Sequence, residues 1–368
     1  MHHIDPILTG ESGSHVWMDY IVTATRSEIA VSYSAKDDAA ITCRAYTELP
    51  LVVSLSGQWD TLLQSTACNR AFSSAAWLLS ACKTDPSISP FVIAAWRGPE
   101  LVGVLPLVDI SGAGRAEFIP SDYNDIIVRP GDNLAVQAVL NYAVGLGRPL
   151  SLKNLRLDSN CYCAVAQARP DLAEKHFKID HTCFYIALGS SYPDYLASRS
   201  KETRADLRRH ERKAQQDGLA VVALSPEDFS PELLPEIFLS LHLARFKEES
   251  TLSTPTRQAL IRMVLPELFR QGRLKPFTLT VGGKVIAIDI CMVGPRGLGT
   301  WNGGFLPEAA KYSPGTLILA EQLRQSFALE MEEYDWLRGS DSYKTRWATD
   351  SRSTGRFDFE PGFALHGI

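Results

Sequence analysis

The sequence predicts a mixed α/β (α+β) protein of two similar halves, each a mixed central sheet flanked by helices. Three observations lead there. Beyond the first 45 residues, apolar runs of strand length alternate with segments of helical periodicity. Two hairpins recur: residues 91–108 read FVIAAWRGPELVGVLPLV and residues 277–293 read FTLTVGGKVIAIDICMV, an offset of 186 (277 minus 91). The order of elements around each hairpin is also the same, which favours duplication over an accidental pair. At roughly 150 residues per domain, a chain of 368 leaves room for two cores.

Residues 1–45 are polar and lack sustained periodicity, apart from a strand signal at 19–25, and read as an N-terminal extension. In the first half, 71–83 is helical. The hairpin then turns at Arg97-Gly98-Pro99-Glu100, and strand 122–128, helix 133–144 and strand 151–157 follow. YPDY and serines interrupt the pattern at 189–199, which sets a first domain at 46–190 and a second at 191–368. The second half has helices at 231–249 and 255–271, a hairpin turning at Gly282-Gly283, strand 297–303, helix 314–330 and strand 334–337. Glycine supplies the positive φ that both turns need.

The balance of 37 basic and 42 acidic residues, net -5, argues against a protein that wraps duplex DNA. No apolar run reaches a membrane-spanning length; the stretch 285–293 is interrupted by a charge. The N-terminus, with only His2 and His3 as a would-be tag, lacks the basic-then-apolar pattern of a secretory signal, so a cytoplasmic location is expected. Seven scattered cysteines without a C-x-x-C pair read as reduced thiols, with no metal site expected. G-x-S-x-G, P-loop, H-E-x-x-H and strand-linked G-x-G-x-x-G motifs are missing, which removes the anchors for covalent hydrolase, NTPase and dehydrogenase readings.

Four segments are candidates for chemistry. Ser313-Pro314-Gly315-Thr316 opens an apolar helix, with serine as N-cap and proline first. The unpaired first-turn amides, a glycine that admits close approach, and Lys311 and Tyr312 just upstream suit a pyrophosphate. The same residues also suit a capped helix with no ligand. In YDWLRGSDSYKTRW (334–347) a short strand meets a glycine turn, and Lys344 and Trp347 share a face if the next turn is helical; Asp341 and Tyr343 stand beside them. This is a polar site with an apolar wall, or a surface turn with one buried Trp. Between Arg199 and Lys213 stand seven Lys/Arg against three Asp/Glu, and Lys201, Arg204, Arg208 and Arg212 make one stripe, widened by Arg209 and Lys213. The stripe reads as a solvated face or as an anion-facing ridge. LSLHLARFKEES places His242 and Arg245 on one helix, His242 as a core histidine or a base. In the first half, Asp122, Tyr123 and Asp125 enter a strand, capping a turn or facing an inter-domain cleft. Trp301 and Asn302 join them, with Arg204, Arg208 and Arg245, as candidate substrate contacts.

R-x-x-x-R-R-x-x-R-K, LHLARF, SPGTLILAEQL and YDWLRGSDSYKTRW, in this order, resemble the CelD-like acyltransferase family. This is a branch of the GNAT superfamily related to the FemABX peptidyltransferases. The likeness spans roughly residues 55 to 350 and is strongest from Ser198 to Trp347. It implies two tandem GNAT-like domains with a cleft between them, and direct acyl transfer from a thioester to an amine. The family's D-[FW]-x-x-G-x-x-x-Y-K segment falls on Asp335, Trp336, Gly339, Tyr343 and Lys344. His242, Asp341 and Tyr343 are then candidate bases, and Lys344 or a backbone amide the oxyanion donor. The donor pyrophosphate would lie at Lys311 to Thr316. The segment has one glycine and a proline where GNAT proteins are usually glycine-rich, which leaves coenzyme A and acyl-carrier protein both open as co-substrate. No permanently bound cofactor is expected. The expected acceptor is an amine of a sugar, lipid base or amino compound, with peripheral membrane contact allowed. The alternatives are a FemABX-like transferase using aminoacyl-tRNA and a non-catalytic scaffold in polysaccharide or lipid assembly.

Overall fold

The computed structural model describes residues 19–25, 28–34, 40–189, 191–339 and 341–361. Residues 1–18, and with them His2, His3 and the expectation about a secretory signal, lie outside the described residues. The described strands form one continuous, mixed sheet that runs through both halves.

The first half opens with β1 (Asp19–Thr25), β2 (Glu28–Ser34) and β3 (Ile41–Tyr46), an antiparallel meander on the edge of the sheet. The strand expected at 19–25 is present. β3, which falls within the expected extension 1–45, carries Ile41 and Cys43 into the core. Helices α1 (Leu49–Gln64) and α2 (Ala75–Thr84) follow. α2 starts four residues later than expected. The Asn69 carboxamide takes the Ala71 and Phe72 amides at 2.9 Å each and holds that stretch as a turn, and Ser74 then caps the helix through Trp77 N. The hairpin is β4 (Ile88–Arg97) and β5 (Glu100–Ile110), closed around Gly98 at φ +59.

Next come β6 (Ala116–Phe118), β7 (Ile127–Val128), α3 (Asn133–Gly145), β8 (Leu150–Arg156), α4 (Asn160–Ala168), α5 (Pro170–His176) and β9 (Phe177–Ala187). The strand expected over 122–128 shrinks to β7. Tyr123 sits at φ +55 and turns the chain, because its side chain and that of Asp122 are engaged by the second half (below).

The second half contains α6 (Tyr192–Ser198), α7 (Lys201–Gln216), β10 (Leu219–Ala223), α8 (Leu234–Phe246) and α9 (Pro255–Arg270). The helix expected over 231–249 is α8 between two 3-10 turns, and Lys247 at φ +49 ends it. β11 (Leu274–Val281) and β12 (Lys284–Val293) turn at Gly282 and Gly283, both with positive φ as expected. β13 (Gly297–Phe305), α10 (Pro314–Ala328), β14 (Glu333–Arg338), α11 (Ser342–Trp347) and β15 (Asp350–Phe359) complete the chain. β15 runs antiparallel between β8 and β9, and β9 pairs in turn with β14. Strands far apart in sequence thereby join the two half-sheets.

Three apolar clusters follow from this layering. On one face α1, α2, α8 and α9 form a shared central layer across both halves, with Trp59, Phe238 and Phe269 fully buried. Each such side chain contributes about 1.5–3 kcal/mol by leaving water. On the other face α3 and α4 cover the first half, and α7, α10 and α11 cover the second.

The duplication extends to a backbone irregularity. Each half holds one short parallel pairing, Ala116↔Leu150 to Glu117↔Ser151 and Gly297↔Glu333 to Gly299↔Asp335. In each, the fifth residue of the second strand is left-handed, Asn154 at φ +59 and Leu337 at φ +54. Beyond these pairings the strands part, and a gap opens in the sheet of each half.

Candidate active site

The gap of the second half lies between β13 and β14. On β13 the pairing with β12 skips Trp301: Ile290 faces Asn302 and Cys291 faces Thr300. This bulge re-aims the strand where it leaves β14. Gly304 then allows α8 to lie directly on the strand, since a Cβ there would stand 2.3 Å from His242 N. That contact fixes Arg245, whose guanidinium lies over the rings of Phe246 (4.5 Å) and Phe305 (4.6 Å).

Asp289 of β12 faces the same region. It accepts from Thr300 Oγ1 and, at 3.2 Å, from Gln322 Nε2; the Gln322 carbonyl oxygen takes the Tyr334 hydroxyl at 2.7 Å. Burial raises the Asp289 carboxyl above its ordinary range, with the Arg245 charge pulling the other way. Tyr343, 50% exposed on α11, closes the group. Its phenol is pushed up to about 12 by burial and by the Asp289 and Asp341 charges, so it is protonated at neutral pH. Asp289 is a site residue that motif and periodicity miss, and its one signal in the sequence is that it is the charge inside the apolar run 285–293.

The residues singled out in the sequence take definite places. The His242 ring is buried beside Phe238 and Phe246, with Nδ1 3.0 Å from the Gly303 carbonyl and Nε2 2.8 Å from Ser250 Oγ. Burial lowers its pKa and keeps it neutral. Lys344 and Trp347 share the buried face of α11. The Lys344 ammonium donates to the carbonyls of Arg338 (3.1 Å), Gly339 (3.1 Å) and Trp336 (3.5 Å), and pairs with exposed Asp341 at 3.2 Å. Trp301 packs edge-on to Trp77 and stacks on Phe238, both at 5.9 Å. The Asn302 side chain accepts from the Gly303 amide.

Around the start of α10, Ser313 adopts φ +53 and its side chain caps nothing, unlike the N-cap the sequence suggested. Thr316 and Leu317 donate to the Ser313 carbonyl, and Pro314 has no N–H, which leaves the Gly315 amide as the first-turn donor. No atom lies within 4 Å of a Cβ built on Gly315. The ammonium groups of Lys213 (5.3 Å) and Lys311 (4.9 Å) both lie against the Tyr312 ring, and Lys213 also donates to the Lys311 carbonyl. Among the described residues neither lysine is paired with a carboxylate. In the first half the equivalent helix start is filled. Asp132 caps α3 through Ala135 N at 3.1 Å and holds Arg97 at 3.1 Å.

On α7, Lys201, Arg208 and Arg212 are exposed, while Arg204 turns back to the Ala197 carbonyl. The stripe therefore faces solvent beside α10.

Asp122, Tyr123 and Asp125 lie between the halves. Asp122 pairs with Arg338, and Tyr123 donates to the Asp335 carboxylate, 3.0 and 2.8 Å from its two oxygens. Burial pushes Asp335 up to about 6. Asp125 accepts the Ile126, Asn160 and Cys161 amides and is pushed up to about 7 by burial. Tyr123, Asp125 and Asp335 line an open cleft with Arg156, Gly297 and Gly299. Replacing Tyr123 with phenylalanine is expected to cost about 1–3 kcal/mol, since it removes one donor from a buried carboxylate and leaves it the Leu337 amide. Urea unfolding of the two proteins measures it.

Comparison with known proteins bears on the fold. Residues 201–345, within the second half, match the model of a family described as acetyltransferase (GNAT) domain. Among solved structures the chain is similar to FemX, with TM-score 0.61 and 12% identity over 83% of this chain and 96% of that one. It is similar to L-PGS from Bacillus licheniformis, with TM-score 0.56 and 11% identity over 84% and 93%. A C-terminal domain from Agrobacterium fabrum, assigned to a lysylphosphatidylglycerol synthetase, gives TM-score 0.54 and 10% identity over 84% and 93%. At such identities these likenesses speak for the fold alone. No curated protein matches the chain. Among the described residues no helix is long and apolar enough to cross a membrane, and no group of His, Cys, Asp and Glu is arranged to hold a metal ion.

Proposed function

We propose that this protein is an N-acyltransferase of the CelD-like kind, working in the cytoplasm. It would move an acyl group from a thioester, carried by coenzyme A or an acyl-carrier protein, to an amine of a sugar, lipid base or amino compound. The observation that carries this reading is the contrast between the two helix starts. The first half fills its own with Asp132, whereas the second leaves the Gly315 N–H open, three residues after Tyr312, against whose ring lie two ammonium groups free of carboxylates. A phosphorylated carrier is the chemistry that such a place attracts. From there the carrier arm would enter the gap between β13 and β14 and bring its carbonyl to Arg245, Asp289 and Tyr343. In this reading Arg245 or a freed β13 amide steadies the oxyanion, and Tyr343 donates a proton to the departing sulfur. Lys344 holds the end of β14, and the acceptor comes from the cleft between the halves.

The test is thioester-dependent thiol release with acetyl-, octanoyl- and palmitoyl-coenzyme A and a panel of amines. Exchanging Lys213 and Lys311 together for alanine is expected to raise the donor KM about tenfold with little change in kcat. An unchanged KM would remove the donor site from this place.

The exposed stripe Lys201, Arg208 and Arg212 favours a second reading, transfer from aminoacyl-tRNA. A salt-sensitive mobility shift with bulk tRNA supports it; its absence, together with thiol release, leaves the first. A protein that releases no thiol with any donor and binds no tRNA would fit the scaffold alternative.

A further inference from the structure

We propose that Asp289 is the base that takes the proton from the attacking amine. The inference rests on the acyltransferase reading above and deepens it by naming the proton acceptor.

Elimination points to it first. Of the ionisable groups around the gap, His242 has both ring nitrogens engaged and lies buried under α8. Lys344 spends its hydrogens on backbone carbonyls, and Asp341 is exposed and paired with that lysine. Tyr343 holds its proton at neutral pH, and Arg245 is a permanent cation. Asp335, at the last paired position of β14, is taken by the Tyr123 hydroxyl and the Leu337 amide, and Asp289 is the carboxylate that remains.

Its geometry suits the role. The Tyr334 hydroxyl fixes the Gln322 carbonyl oxygen, so the Gln322 amino group must point at Asp289. Gln322 and Thr300 both donate to Oδ1. Among the described residues Oδ2 receives no hydrogen bond. A Cβ on residue 303 would stand 2.9 Å from Oδ2 and 2.7 Å from the Ile288 carbonyl oxygen, so only glycine is accommodated beside it. The carboxylate is thus clamped at one oxygen and open at the other, beside the strand that leaves β14. The residue is half-buried, and Oδ2 is not among the polar atoms sealed from solvent without a partner. A carboxylate serving only to tie α10 to the sheet has no need of the open oxygen.

The chemistry balances with no further reactant. The amine lone pair forms the C–N bond as the carbonyl π electrons move onto oxygen. The nitrogen becomes positive and acidic, and its proton passes to Asp289 Oδ2. The oxyanion then collapses and the C–S electron pair leaves with sulfur. That sulfur takes one proton, from Tyr343 with Asp289 restoring the phenol or from Asp289 directly. The products are amide and thiol, and the carboxylate is regenerated.

The charged and titratable groups facing Asp289 are Arg245 from α8, Cys291 on its own strand, Tyr334 from β14 and Tyr343 from α11. Burial sets the balance and raises the carboxyl. Because the carboxylate is the active form, kcat/KM rises with pH through this raised value, and its acid limb lies above that of an ordinary aspartate.

The test begins with wild-type thiol release from the three coenzyme A thioesters. If wild type releases none, the acyltransferase reading falls and this role falls with it. With an active wild type, D289N is expected to lower kcat/KM by about 10²-fold or more and to erase the acid limb. Donor KM should stay the same, and formate should restore part of the D289A rate. Thr300→Val, which removes one donor from the carboxylate, should move the acid limb upward; a merely structural Asp289 would leave it in place. D289N with wild-type rate and acid limb would overturn the proposal while leaving the acyltransferase reading intact. If D289N does not fold, an unmoved limb in Thr300→Val would overturn it equally.

Discussion

Replacing Gly304 with alanine is expected to lower the unfolding free energy by about 3 kcal/mol and to depress transfer activity in the protein that remains folded. A Cβ at this position would stand 2.3 Å from His242 N and 2.4 Å from His242 Cα and Leu241 C. All three are backbone atoms of one helix turn, so no side-chain rotation relieves the clash and α8 must lift as a body. α8 buries Leu234, Phe238, Leu239 and Leu241 in the layer shared by both halves, and lifting it opens that layer. It also draws Arg245 away from the gap. Gly315→Ala is the control: the same added methyl meets nothing within 4 Å and should leave stability unchanged or slightly higher. Denaturant unfolding of both variants checks the pair, and a Gly304→Ala protein as stable as wild type would mean that α8 does not rest on β13.

Lys344→Met is expected to cost about 3 kcal/mol, with activity falling mainly because the end of β14 comes loose. Methionine fits the space of the buried stem but offers no hydrogens. Three carbonyls, of Trp336, Arg338 and Gly339, then lose their donor where the strand turns at Leu337 and Gly339. Gly339 sits at φ +114 and a Cβ on it would come 2.9 Å from Lys344 Nζ, so the turn and the lysine are built around each other. The measurement is a urea midpoint together with kcat/KM at a temperature well below unfolding. Loss of stability with kcat/KM within about threefold identifies a strut. A collapse of about 10²-fold or more at unchanged stability would restore Lys344 as the oxyanion donor that the motif suggested.

How far the sequence reaches can be followed element by element. The Gly282-Gly283 hairpin, the helix opening at Pro314 and the α11 turn with Lys344 and Trp347 on one face were legible, because each is set by a few neighbouring residues. Arg245 and Tyr343 were also found, from a helix and a motif near the gap they share. Asp289 was visible only as a blemish in an apolar strand. Its meaning depends on Gln322 and Thr300, which reach it from another helix and another strand. Tyr123 read as part of a strand, since its own neighbours favour one; the engagement of Asp122 and Tyr123 with Arg338 and Asp335 overrides them.

The chain's local chemistry therefore determined where helices and turns begin, that the halves repeat, and which segments carry charge. Only the tertiary structure decided that β15 seats itself between β8 and β9, that the start of α3 is capped by Asp132 while the Gly315 amide at the start of α10 stays open, and that the lysine of the motif faces inward. Strand partners and buried directions are settled by contacts between residues distant in sequence, whose free energy is released only when the layers close on one another.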